Sequence, residues 1–180
     1  MTDEGVMVRE EVPDRARTFE RLSEDQLSAS YRLAAVLLRD RIEAEDAVQD
    51  ALVRAWRGWP RLRDPARFES WFQRILVNGC HDRLRQRKHW ARVAQLPERS
   101  GPDEHGRSDE RAALRQALES LTVDQRVVVV LRYFGDLTME QIAERTDSRV
   151  GTVKSRLHHG LRALRAAYEA AGRSPAEVDR

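Results

Sequence analysis

Cysteine is nearly missing from this chain: Cys80 is the only one in 180 residues. One thiol excludes an internal disulfide framework and a thiolate zinc cage, and it suits a reducing cytoplasm. Long hydrophobic runs are missing too. No apolar stretch approaches the roughly 18 residues that a membrane span needs, and the first 30 residues are highly charged. The expectation is a cytoplasmic protein with neither a secretory signal nor a membrane helix. There is no glycine-rich phosphate loop and no internal repeat. Hydrophobic residues make up 41% and charged residues 34%. That balance leaves room for two modest cores rather than one large one.

Lysine is scarce as well. Lys88 and Lys154 are the only two, so arginine carries nearly all of the 32 positive charges against 30 acids. The guanidinium fork suits phosphates and guanine edges. A net charge of only +2 does not announce nucleic acid, but the distribution is uneven. Between Glu24 and Asp50 the acids Glu24, Asp25, Asp40, Glu43, Glu45, Asp46 and Asp50 outnumber Arg32, Arg39 and Arg41. Between Arg61 and Arg92 the bases dominate, and a second basic block runs from Arg145 to Arg173. One acidic and two basic blocks point to at least two different partners.

Residues 94–107 hold Pro97, Gly101, Pro102 and Gly106 and almost nothing apolar, which reads as a linker. About 14 such residues wander roughly 20 Å end to end, so the flanking modules can reach separate sites on an extended partner. Both modules read as helix. In the first, Ser23 to Gln26 has a capping-box pattern, which places a helix start at Ser23 and its end near Arg39. In a second helix Ala44, Ala47, Val48, Ala51, Leu52 and Ala55 recur at i, i+3, i+4 spacing, and Glu45, Asp46, Gln49, Asp50 and Arg54 stand on its other side. Trp56 and Trp59 are expected to pack its end. A third helix opens on Asp64-Pro65 and runs to about Lys88. At 100° per residue, Arg67, Arg74, Asn78, His81, Arg85 and Lys88 fall in one stripe about 80° wide, beside an apolar stripe of Phe68, Phe72, Ile75, Leu76 and Gly79.

The second module starts near Ser108 with a helix carrying Leu114, Ala117, Leu118 and Leu121. Thr122 to Gln125 is a capping box, so Val127 to Val130 is read as helix despite its strand propensity, closed at Gly135-Asp136. Thr138 to Gln141 opens a short helix, Asp147-Ser148 turns the chain, and a last helix aligns Val150, Val153, Leu157, Leu161, Leu164 and Tyr168. A short capped helix, a turn and a longer basic helix make a helix-turn-helix. Opposite the apolar stripe of the last helix lie Thr152, Ser155 and His159, flanked by Arg149, Arg156 and Arg162, with Lys154 and His158 on the shoulder. Such a face suits a major groove, cations on phosphates and small polar groups on base edges.

Asp46-Ala47-Val48-Gln49-Asp50, Trp71-Phe72-Gln73-Arg74-Ile75-Leu76-Val77-Asn78 and Gly151-Thr152-Val153-Lys154-Ser155-Arg156-Leu157-His158 stand in one order along the chain. In this the chain resembles an extracytoplasmic-function (group IV) bacterial RNA polymerase sigma factor, similar to the actinobacterial SigE-like group. The resemblance implies an all-α fold of two small helical domains: a region 2 bundle over 18–92, a flexible linker over 93–107 and a region 4 helix-turn-helix over 108–170. It implies no enzyme activity, metal or cofactor. The implied partners are core RNA polymerase (β′ clamp helices and β flap), promoter DNA and an anti-sigma factor. Asp46, Gln49, Asp50, Val53 and Arg54 resemble the polymerase-binding surface. Asn78 resembles a reader of a flipped −10 base, and Arg74, Arg83, Arg85 and Lys88 resemble the phosphate contacts around it. Phe68 and Trp71 either border that pocket or pack the core. Arg132, Lys154, Ser155 and Arg156, with Arg149, Thr152, His158 and His159 beside them, resemble the −35 surface. Two departures stand out. His158 and His159 replace an aromatic and an arginine, and Asp147 and Arg149 stand where glycine and proline are usual in the turn.

Other readings are weaker. Cys80-His81-Asp82 are consecutive on a helix and point 100° apart, so they form no catalytic array among themselves. A stand-alone LuxR-type regulator shares only the last motif. An interaction protein with incidental DNA contact leaves the first two motifs idle.

Overall fold

The computed structural model describes residues 11–94, 114 and 116–170. Among these there is no strand, and no helix is long and apolar enough to cross a membrane. The first module contains α1 (Glu11–Leu38), α2 (Arg41–Gly58) and α3 (Phe68–Ala94). The second contains a short helical stretch at 116–119, then α4 (Val123–Tyr133), α5 (Met139–Arg145) and α6 (Val150–Ala170).

The start of α1 corrects the sequence expectation. Ser23 is no cap: it lies buried inside a helix that begins at Glu11. Phe19 provides the reason. It packs edge-on against Trp56, Trp59 and Phe68, with ring centroids 5.1, 5.7 and 5.6 Å away. Burying that ring rewards helix N-terminal to Ser23. The indole of Trp59 also donates to the Arg15 carbonyl at 3.2 Å. Between α1 and α2, Arg39 takes a left-handed conformation (φ 58°), and Asp40 then caps α2 by accepting from Ile42 and Glu43 at 2.9 and 3.0 Å. Arg87 of α3 reaches back to donate twice to the Leu38 carbonyl at 3.2 Å, which covers the exposed end of α1.

Asp64 and Pro65 open a 3-10 turn (Pro65–Arg67) rather than α3 itself, and α3 follows from Phe68. This helix continues through Ala94, two residues into the stretch read as linker; residues 95–107 lie outside the described residues. Its buried face is Phe68, Phe72, Leu76, Val77, Cys80 and Leu84, while Ile75 and Gly79 are only partly covered. Burial pushes the Cys80 thiol up to about 12, with Arg83 opposing and Glu43 adding to the shift. That thiol is an inert core group.

Both capping boxes in the second module form in full. Thr122 accepts from Gln125 N–H at 3.3 Å and Gln125 returns the bond at 3.0 Å. Thr138 and Gln141 do the same at 3.2 and 2.9 Å. The valine run is helical, and Val127 to Val130 are all buried. Tertiary burial on every side overrides the strand propensity of β-branched residues here. Asp147 takes φ 50°, and Ser148 N–H bonds the Ala143 carbonyl at 3.0 Å, closing α5 in Schellman fashion. Aspartate tolerates this conformation, so the turn forms without the usual glycine. Ala143, Val153 and Leu157 are buried where α5 and α6 meet. Gly160 sits where a Cβ would come within 3.0 Å of Val129, which allows α6 to lie close on α4.

The two modules are packed against each other. α3 touches α4 and α5, and α1 touches α4. Polar ties span the seam: Arg39 to Glu119, Arg67 to Glu144 at 3.1 Å, Gln73 to Arg145 at 2.8 Å and His81 to Asp124 at 2.6 Å.

Candidate nucleic-acid interface

The first module exposes two different surfaces. On α2, Asp46, Gln49, Asp50, Val53 and Arg54 are all exposed, as the amphipathic spacing requires. Asp50 is held by Arg83 of α3, so that arginine, read as a −10 phosphate contact, turns toward α2 instead of joining the basic stripe. Two apolar neighbours stand beside them, Ile42, which the sequence reading missed, and Trp56, which it expected to be packed. Ile42 is 72% exposed, and Trp56 is 50% exposed despite its contact with Phe19. Apolar area beside acids and amides is the composition of a protein-binding patch.

On α3 Arg74, Asn78, His81, Arg85 and Lys88 form the stripe that the periodicity predicts, whereas Arg67, read as its first member, stands in the 3-10 turn before the helix. Asn78 and His81 are half-buried; Arg74, Arg85 and Lys88 are exposed. Phe68 stands behind this face, stacked on Phe72 at 5.7 Å and buried. It supports the site from below. Trp71 is better placed: it leans on Gly58, where a Cβ would come within 2.9 Å of the indole, and borders a 260 Å³ cavity with Arg67, Arg74 and Glu144. An indole edge between two guanidinium groups is a fitting wall for an unpaired base.

In the second module, Arg149, Thr152, Lys154, Ser155, His158 and His159 are exposed along α6 and its entry. Arg132 is partly covered and donates to the Leu137 carbonyl at 3.1 Å, bracing the turn into α5. Arg156 is engaged within the protein: its terminal nitrogens bond Ser148 Oγ and Asp124, both at 3.0 Å. Tyr133 (65% exposed) and Phe134 close α4 as a further apolar patch, which the sequence reading left unremarked.

Electrostatics concentrate at the seam. Burial tends to raise the Asp124 carboxyl, but the His81 hydrogen bond and the charges of Arg156, His81 and Arg85 outweigh it and hold the group below the usual carboxylate range. Its contribution to the folded state is therefore complete at neutral pH and fades as pH falls through that depressed value. Arg145 is 4% exposed, and burial pulls its guanidinium below the ordinary arginine value, opposed by Glu144 and Glu69. No cluster of metal-ligating side chains occurs among the described residues.

Comparison with known proteins gives a coherent picture. Residues 22–89 match Sigma-70 region 2, and residues 111–164 match Sigma-70, region 4. The chain is 34% identical to an RNA polymerase sigma-E factor of Streptomyces avermitilis over 152 residues, covering 84% of this chain and 85% of that one. It is 32% identical to the ECF RNA polymerase sigma factor SigL of Mycobacterium tuberculosis over 157 residues, covering 84% and 89%. Its fold resembles that of the sigma factor RpoE from Bartonella quintana, solved in complex with the anti-sigma factor NepR. That likeness has a TM-score of 0.64 and 24% identity, covering 94% of this chain and all of the other.

Proposed function

The chain belongs to the extracytoplasmic-function sigma factors of the sigma-70 family, and from that premise we propose how its faces divide the work of starting transcription. It binds core RNA polymerase in the cytoplasm and directs it to promoters carrying a −35 and a −10 element. The observation that carries this reading is the presence of both sigma regions in one chain, each with its exposed face formed. The region 2 match over 22–89 removes the LuxR-type alternative, which has no use for that module.

The exposed ridge of α2, with Asp46, Gln49, Asp50, Val53, Arg54 and the neighbouring Ile42 and Trp56, is the surface for the β′ clamp helices. Acids there meet basic residues and the apolar neighbours supply buried area. Tyr133 and Phe134 offer the β flap a second patch. On the polymerase, the modules stand at the separation of the two promoter elements. The helix α6 then enters the −35 major groove. The stripe on α3 takes the unpaired −10 strand, with Asn78 reading a flipped base through its amide donor and acceptor. Binding energy stabilises the open complex, and the protein makes and breaks no bond itself. An anti-sigma factor is the expected negative partner, since it has only to cover these faces.

Two substitutions separate the roles. Asn78→Ala is expected to weaken opening at some −10 sequences and not others, read by permanganate footprinting on a promoter panel. An equal defect on every sequence removes its base-reading role. Arg156→Ala is expected to weaken −35 binding about uniformly across sequences and lower the salt slope by about one, read by titrating duplex at several ionic strengths.

A further inference from the structure

The run Arg83-Leu84-Arg85-Gln86-Arg87 sets an arginine at every second position of α3. At 100° per residue Arg83 and Arg87 share one face, and Arg85 stands about 160° from each. The structure uses them accordingly. Arg85 stays exposed in the −10 stripe. Arg83 pairs with Asp50 of α2, and Arg87 pairs with Glu43 at 3.4 Å while it holds the Leu38 carbonyl. We propose that Arg83 is a positioning residue: with Arg87 it fixes how α3 is turned on α2, and through Asp50 it ties the polymerase-docking ridge to the −10 stripe. This rests on the reading of α2 as the polymerase surface and of α3 as the −10 surface.

The need for such a clasp lies in the composition of α2. Its buried face is Ala44, Ala47, Val48, Ala51 and Ala55. Methyl groups offer α3 a smooth surface with shallow ridges, and apolar burial has no direction of its own. Charge-assisted hydrogen bonds do have direction. Glu43 and Asp50 stand two turns apart on one face of α2, and they meet arginines one turn apart on α3 in the opposite order. The two pairs thus fix both register and rotation. A turn of α3 about its axis would swing Asn78 and Arg85 away from the strand while α2 stayed in place. Asp50 is suited to join the two faces. Its Oδ2 takes Arg83, its Oδ1 takes no bond from the described residues, and its side chain is 58% exposed. The open oxygen is free to meet a polymerase cation, so one carboxylate touches polymerase on one side and α3 on the other.

The clasp adds little to stability. Arg83 and Arg87 are partly exposed and their partners more so, and ion pairs in contact with water hold little net attraction. The buried rings of Phe68 and Phe72, with Leu76, carry the folding instead. Losing the Arg83 pair therefore leaves the module folded and loosens the orientation of α3. The effect falls on promoter opening, and neither on folding nor on affinity for polymerase.

The test uses the full chain and core polymerase on a promoter at which the parent chain initiates. Affinity for core is read by titration onto immobilised polymerase. Opening is read as the rate of permanganate reactivity with the chain saturating, at several salt concentrations. Arg83→Gln is expected to keep core affinity and the urea unfolding midpoint of the parent and to slow opening about fivefold or more, within the range for coupled groups. Its salt slope matches the parent's, because no phosphate contact is lost; a slope lower by about one marks Arg83 as a phosphate contact and overturns the proposal. Arg83→Lys returns a point charge to the same carboxylate and is expected to restore most of the opening rate. Asp50→Asn is expected to slow opening as Arg83→Gln does and to weaken core binding as well, and combining the two slows opening no further. Defects that multiply overturn the proposal. If Arg83→Gln lowers core affinity as much as opening, or lowers the urea midpoint, its role is that of a polymerase contact or a folding brace, and the proposal is overturned. Arg32→Gln, which removes an exposed cation of α1, is the charge control and is expected to match the parent. A parent chain that initiates nowhere sinks the sigma reading and this proposal with it, whereas normal initiation by the parent with an unresponsive Arg83→Gln sinks this proposal alone.

Discussion

A chain cut after Gly106 is expected to lose more than about 100-fold of its initiation at promoters that depend on a −35 element, while it still co-elutes with core polymerase. Every candidate −35 residue, from Arg132 to His159, lies beyond the cut, and the α2 ridge lies before it. Base pairs of a specific site are each worth about 1–3 kcal/mol, so losing several together exceeds a hundredfold. The first module retains its own core, with Phe19, Leu37, Phe68, Phe72 and Leu76 buried among α1, α2 and α3. Run-off transcription on matched templates, with and without the −35 element, measures the effect. Undiminished initiation on both contradicts the division of labour between modules.

The second large effect is on stability. Phe68→Ala is expected to cost about 3–5 kcal/mol, the range for emptying a buried aromatic site. Phe68 touches four other rings, edge-on to Phe19 and Trp59 at 5.6 and 5.7 Å, stacked on Phe72 and tilted to Trp71 at 6.0 Å. It is the joint at which α1, the end of α2 and α3 meet. Against a total of about 5–15 kcal/mol for a typical domain, such a loss is severe. Urea unfolding read by tryptophan fluorescence checks it, since all four tryptophans report on this module. A cost below about 1 kcal/mol contradicts the placement of Phe68 at the centre of the core.

What could be read along one helix was legible. The caps at Thr122 and Thr138, the left-handed turn at Asp147, the ridge of α2 and the stripe of α3 all follow from spacing and local chemistry. The start of α1 was not legible, because its core face carries Ser23 and Ser30, 6% and 2% exposed, where an apolar residue would have continued the periodicity. Ser23 then looked like a cap. Arg83 was assigned by its charge, but its partner Asp50 is 33 residues away on another helix. The same limit hid the seam. Nothing near Asp124 in the chain announces His81, and nothing near Gln73 announces Arg145. Contacts between modules leave no period in either segment. The likeness to a known family identified the two regions, whereas their mutual packing had to be seen.

The most direct measurement is the mapping of transcript starts made from fragmented genomic DNA by core polymerase, with and without the purified chain. The account predicts discrete new starts that share two upstream sequence elements at a fixed separation and that vanish when the chain is left out. A pattern of starts identical to that of core polymerase alone would contradict it.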